Sequence, residues 1–150
     1  MAPDNRVDVS EPKIRPVERR DAECVAALFG SLGFPTSADT FPQRLARSIA
    51  AGDTTLVAER DGTVAGCIGL SQTHPAHRDA PVGRITVLVV AEEARGAGIG
   101  TALVKAAIAT FFAAGCTIVE VTSRFELRRA HAFYDKLGFA QTSVRLALTR

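Results

Sequence analysis

Cysteine is sparse and scattered in this chain. Cys24, Cys67 and Cys116 form an odd set with no Cys-x-x-Cys pair, which argues against a zinc site and against a disulfide framework. Each falls in an apolar stretch, where a free thiol ordinarily packs as a small hydrophobe, and none sits beside a histidine or a helix start that would make it a nucleophile. Charge of one sign is equally short: 18 basic against 16 acidic residues leave a formal +2. That excess is too small to imply nucleic acid or a membrane surface as a partner. No apolar run reaches the length of a membrane span. Residues 1–12 are polar and acid-containing, unlike the core of a signal peptide, and read as a mobile tail before one domain at 13–150. Linkers, internal repeats and low-complexity segments are missing as well. What remains is an ordinary globular mixture, 47% hydrophobic and 23% charged over 150 residues, enough for one substantial core. A cytoplasmic location and no metal are the expectations.

Against that plain background one segment stands out, Val87-Leu-Val-Val-Ala-Glu-Glu-Ala-Arg95-Gly-Ala-Gly98-Ile-Gly100-Thr-Ala-Leu103. It reads as a buried strand, a short turn, a glycine loop and a helix start. Glycines at alternate positions let the backbone approach a ligand with no Cβ in the way. The helix that follows points unpartnered amides outward, and its macrodipole and Arg95 add positive charge there. The combination suits a pyrophosphate. It is neither a dinucleotide fingerprint, which needs G-x-G-x-x-G, nor a P-loop, since Gly100 is followed by Thr101 and Ala102 with no lysine.

The rest of the chain supplies the frame. A short edge strand at 13–17 tolerates Pro16. A first helix presents Ala22, Val25, Ala26, Leu28 and Phe29. A second, capped by Thr40 with Gln43 at N3, buries Phe41, Leu45 and Ile49. Strands at 54–60 and 63–70 flank Asp61-Gly62, a strong hairpin signal. The segment 84–90 is apolar on both faces, Ile85, Val87 and Val89 on one and Leu88 and Val90 on the other, as a central strand should be. A largely apolar helix over 99–114, a strand over 117–122, a helix over 127–137 ending at Gly138 and a last strand over 142–148 complete the order β-α-α-β-β-β-α-β-α-β.

Arg95, Gly98 and Gly100 satisfy R-x-x-G-x-G directly after an apolar strand. Ala130-His-Ala-Phe-Tyr134-Asp-Lys-Leu-Gly138-Phe139 is similar to a helix of the form A-x-x-F-Y-x-K-x-G-F. With the element order over 13–150, these motifs make the chain resemble the GNAT superfamily, the Gcn5-related N-acetyltransferases. The resemblance implies a mixed α/β fold, a central sheet of about six or seven strands with helices on both faces. It also implies a reaction, transfer of an acetyl group from acetyl-CoA to a primary amine by direct attack, in a protein that pairs as a homodimer, with 142–148 as an edge candidate.

Residue by residue, the resemblance places the CoA diphosphate on Arg95, Gly96, Ala97, Gly98, Ile99, Gly100 and Thr101. The pantetheine arm pairs with the main chain of Leu88, Val89 and Val90, and the N–H of Val89 or its neighbour faces the thioester oxygen. Tyr134, the single tyrosine, is the acid for the departing thiolate, or else a core residue with its hydroxyl at the surface. Relatives often carry an asparagine seven residues before that tyrosine. Here Leu127 stands there, so Ser123, Arg128 or Arg129 must substitute or the contact is missing. Arg124, Arg128 and Arg129 form a basic cluster that suits the 3′-phosphate end of CoA or simply a solvated face.

The general base is left open by the sequence. Glu120 leads if it faces the cleft, with His74, His77 and water as the alternatives, while Glu92 and Glu93 shape the turn. By family analogy the acceptor cleft borders 29–41, 71–81 and the last strand, including Phe34, Asp39, His74, His77, Arg78 and Asp79. The acceptor is a small amine, a peptide or protein N-terminus, or an aminoglycoside-like amine. No run of carboxylates suited to a polycation is visible. A non-catalytic CoA-binding or protein-interaction module on the same fold is the rival reading.

Overall fold

The computed structural model describes residues 10–150. The tail expected at 1–12 lies mostly outside them, although Ser10 donates a 2.9 Å hydrogen bond to Asp61. The elements are β1 (Lys13–Pro16), α1 (Ala22–Ser31), α2 (Phe41–Ala50), β2 (Thr54–Arg60), β3 (Thr63–Thr73), β4 (Val82–Val90), α3 (Ile99–Ala113), β5 (Ile118–Val121) and α4 (Arg128–Lys136), with single 3-10 turns at Arg19–Asp21 and Glu92–Ala94. They build one sheet in the order β1-β2-β3-β4-β5. The first four strands are antiparallel neighbours, and β5 joins β4 in parallel.

Each half of this arrangement follows from local chemistry. Asp61 and Gly62 both take positive φ, 52° and 76°, the backbone a two-residue hairpin needs to match strand twist. Helix α3 has almost no polar face, and its Ile99, Leu103, Val104, Ala107 and Phe111 are fully buried on one side of the sheet. The approach is close enough that a Cβ on Gly83 would lie 2.4 Å from the Phe111 ring. Helices α1 and α2 cover the opposite side through Val25, Leu28 and Phe41. The Arg15 guanidinium ties β1 to the first turn and to β2, holding Asp21 at 2.7 Å and Glu59 at 2.7 Å. With Arg15 and Asp21 only 10% and 5% exposed in their side chains, removing Arg15 strands the Asp21 carboxylate, a loss of about 3–5 kcal/mol.

The structure departs from the sequence reading in several places. The sheet has five strands among the described residues, since 142–148 pairs with none of them. Strand β4 does not alternate regularly. A bulge between Gly69 and Leu70 in its pairing with β3 leaves Thr86 without a partner, so Ile85 joins Leu88 and Val90 beside α3 instead of following Val87 and Val89. Thr40 makes no cap bond to α2; its hydroxyl turns back to Ser37. Ile49 is exposed rather than buried, and Cys24 is exposed on α1. Cys67 does pack as a hydrophobe, and burial pushes its thiol up to about 12.

Candidate active site

Strand β4 outruns β5. Their pairing covers Val82–Ile118 through Ile85–Val121 and stops, leaving the rest of β4 with β3 on one side and, among the described residues, no strand on the other. Which groups face that gap follows from strand alternation. Ala91 N–H bonds to Ala65 O on β3 at 2.8 Å. Two residues back, Val89 therefore also turns its N–H and C=O toward β3, while those of Leu88 and Val90 point into the gap. The gap thus presents main-chain donors and acceptors of Leu88 and Val90. The side chain of Val89 is 3% exposed, in the core with α1.

Immediately beyond lies the glycine loop. Gly96 and Gly98 both adopt φ 80°, and a Cβ on either would meet no atom within 4 Å. The conformation therefore excludes side chains while the space above is open. Gly98 caps α3, and the first bond into the helix runs from Ala102 N–H to Gly98 O at 3.0 Å. The amides of Ile99, Gly100 and Thr101 come before any i→i−4 partner, and those of Gly96, Ala97 and Gly98 donate to no protein oxygen among the described residues. Arg95 differs from its neighbours. Its amide is spent on Glu92 O at 3.3 Å, closing the turn, while its side chain is exposed. Gly100 admits α4, since a Cβ there would sit 3.4 Å from the Phe133 ring.

Helix α4 brings Tyr134 to this end of the sheet. Its ring packs edge-on between Phe133 at 5.1 Å and Phe139 at 5.5 Å, and among the described residues its hydroxyl has no hydrogen-bond partner. Burial holds the phenol above its ordinary value, so it keeps its proton at neutral pH. At the start of α4, Leu127 is exposed. Arg124, Arg128 and Arg129 are exposed too, with no carboxylate partner among the described residues. His131 donates through Nε2 to Arg124 O at 2.9 Å and so braces that basic turn.

The face of β4 opposite α3 carries the second half of the site. The bulge turns Thr86 and Val87 together toward Gly69, where a Cβ would lie 2.5 Å from the Thr86 hydroxyl. They floor a cavity of about 200 Å³ whose walls include Phe29, Phe41, Arg44, Ser48 and Asp53. Arg44 bonds Thr36 Oγ1 at 3.1 Å and has no carboxylate partner among the described residues, while Asp53 accepts from Ser48 at 3.1 Å. Reading by analogy missed Arg44, Ser48, Asp53 and Thr86. The exposed His74, His77, Arg78, Asp39, Asp79 and Phe34 it favoured do not line this cavity. Glu120 stands on the same face of the sheet. There Arg84 donates to its Oε1 through Nε at 2.9 Å and Nη2 at 2.6 Å, leaving Oε2 without a protein partner among the described residues. Glu92 and Glu93 form the exposed turn before the loop. No group of three or more metal-ligating side chains occurs among the described residues.

An open strand edge, a nest of loop amides and a half-buried phenol, with a cavity on the face of β4 opposite α3, suit two molecules meeting at this strand. The comparisons point the same way. Residues 22–139 match the Acetyltransferase (GNAT) family. The chain is 32% identical over 138 residues to an aminoglycoside N(6')-acetyltransferase type 1 of Stenotrophomonas maltophilia, covering 89% of each chain. It is 34% identical over 89 residues to an aminoalkylphosphonate N-acetyltransferase of Salmonella typhimurium, a match spanning 59% of this chain and only 58% of that protein. In structure it superposes on an acetyltransferase of Trypanosoma brucei with a TM-score of 0.83 at 26% identity, covering 93% of this chain and all of that one.

Proposed function

Because the chain belongs to the GNAT family of acetyltransferases, we propose that it transfers the acetyl group of acetyl-CoA to a small primary amine. The observation that carries this reading is the unpaired edge of β4, whose Leu88 and Val90 main-chain groups lie next to the amides of Gly96–Thr101. The pantetheine arm, two amides in series, pairs with that edge as a strand would. The diphosphate rests on the loop amides and the α3 N-terminus, with Arg95 supplying a full charge. Arg128 and its neighbours serve the adenosine end. An N–H of Leu88 or Val90 stabilises the thioester oxygen as it gains charge.

The amine comes from the other face. It attacks the thioester carbonyl, the carbon–sulfur bond breaks, and Tyr134 gives its proton to the thiolate. A protonated alkylamine, with a pKa of about 10, is no nucleophile until it loses a proton. In this reading Glu120 takes it through Oε2, directly or through water, while Arg84 holds Oε1. Arg44 and Asp53, one cation and one anion on the cavity wall, favour an acceptor with a single amine and an anionic group over a polycation. The protein works as a homodimer in the cytoplasm, without a metal.

Thiol release from acetyl-CoA tests the proposal, run with an aminoalkylphosphonate, an amino acid, an aminoglycoside and a short peptide as acceptors. Turnover should be greatest with the amines that carry an anion. Binding of acetyl-CoA without thiol release for any acceptor would instead support a non-catalytic module, and a preference for the aminoglycoside would overturn the acceptor assignment.

A further inference from the structure

Arg84 and Glu120 are direct register partners on β4 and β5, one rung before the pairing of these strands ends at Ile85 and Val121. Their neighbours Ile85, Val119 and Val121 pack on the α3 side, so alternation puts both charged side chains on the other face. Thr86 and Val87, the floor of the cavity, follow Arg84 directly along β4. The pair therefore stands beside the cavity, at the point where the strands part. Its geometry is lopsided. Arg84 directs two donors at one oxygen, Nε at 2.9 Å and Nη2 at 2.6 Å from Oε1, where a guanidinium fork often takes both carboxylate oxygens. Among the described residues, neither Oε2 of Glu120 nor Nη1 of Arg84 has a hydrogen-bond partner. With side chains 48% and 43% exposed, the pair adds little to stability. What it does is restrain the carboxylate.

We propose that Arg84 is a positioning residue, holding Glu120 so that Oε2 meets the acceptor nitrogen beside Thr86. This rests on the acetyl-transfer reading above and on Glu120 as its base. A glutamate side chain without a partner turns about three bonds, and on a half-exposed strand most of its rotamers point to water. The two bonds from Arg84 remove that freedom before the acceptor arrives, which is what keeps a base within reach of its proton. In the step itself an N–H bond of the acceptor ammonium breaks, the electron pair stays on nitrogen for the attack, and the proton goes to Oε2. Arg84 keeps its own protons throughout and acts only through Glu120. A lysine in its place would keep the charge but lose the fixed fork that grips one oxygen twice.

Thiol-release kinetics and acetyl-CoA titration test this on Arg84→Gln, Arg84→Lys, Glu120→Gln and the double variant Arg84→Gln/Glu120→Gln, with the acceptor that wild type turns over fastest. Glu120→Gln should lower kcat at least about a hundredfold, the usual worth of a general base. Arg84→Gln should lower kcat about tenfold, part of what misplacing a catalytic group costs, and Arg84→Lys should fall between it and wild type. Acceptor KM and acetyl-CoA affinity should stay within about twofold in both Arg84 variants, since no binding contact is lost. In the Glu120→Gln background, Arg84→Gln should cost nothing further, because positioning then has no base to act on. A loss that persists in that background would overturn the proposal. So would a raised acceptor KM with kcat unchanged, the mark of an Arg84 that binds the acceptor itself through Nη1. Full turnover in Glu120→Gln would overturn the base assignment, and the positioning with it, while leaving acetyl transfer standing. No thiol release from wild type with any acceptor would overturn acetyl transfer and the proposal together.

Discussion

In the proposed reaction the gap edge and the bulged face of β4 contribute different materials. On the gap side the contacts are main-chain groups, the Leu88 and Val90 amides and carbonyls and the loop amides over Gly96–Thr101. On the bulged side they are side chains, Arg44, Ser48, Asp53 and Thr86 around a 200 Å³ cavity. A backbone-built site binds one ligand whatever its neighbouring side chains become, provided the backbone shape survives. A side-chain-built site changes its ligand with each substitution. The difference teaches where conserved chemistry and variable specificity can sit on a single strand.

The largest effect should come from Tyr134, the acid of the proposed reaction. Tyr134→Phe keeps the ring packing against Phe133 and Phe139 and should lower turnover by about two orders of magnitude, the usual worth of a general acid. Acetyl-CoA affinity should hardly move, because the proton matters only as sulfur gains charge. Wild-type kcat in that variant, with chemistry rate-limiting, would make Tyr134 a packing residue. On the bulged side, Arg44→Gln should raise KM for an anion-bearing amine about tenfold and leave acetyl-CoA affinity alone, as expected when one charge-assisted hydrogen bond is removed. An equal loss of acetyl-CoA binding would erase the division between the faces. Smallest should be Leu88→Met, which keeps the volume and the main chain. Titration should find acetyl-CoA affinity within about twofold of wild type if the backbone does the binding.

Legibility in the sequence follows the same division. The loop, the buried α3, the Asp61-Gly62 hairpin and the Tyr134 helix are local patterns, each set by residues a few positions apart. The β4 bulge was not legible, because it depends on Gly69 of the neighbouring strand yielding room to Thr86. Nor was the cavity, whose walls come from α1, α2, β2, β3 and β4 and share no spacing. The Arg95 amide was assigned to a ligand because the 3-10 turn that spends it on Glu92 leaves no mark in R-x-x-G-x-G. The alternation over 142–148 reads as a strand, but the segment pairs with no strand among the described residues.

Calorimetric titration of acetyl-CoA into wild type and Gly98→Val tests the central claim most directly, that a backbone cradle holds the cofactor. At φ 80° with open space above it, valine both strains the loop and fills the place proposed for the diphosphate, while the packed core beneath is untouched. The account predicts a fold retained by circular dichroism and an affinity at least about tenfold weaker, the worth of one charge-assisted hydrogen bond or more. Unchanged affinity in a folded Gly98→Val would contradict it.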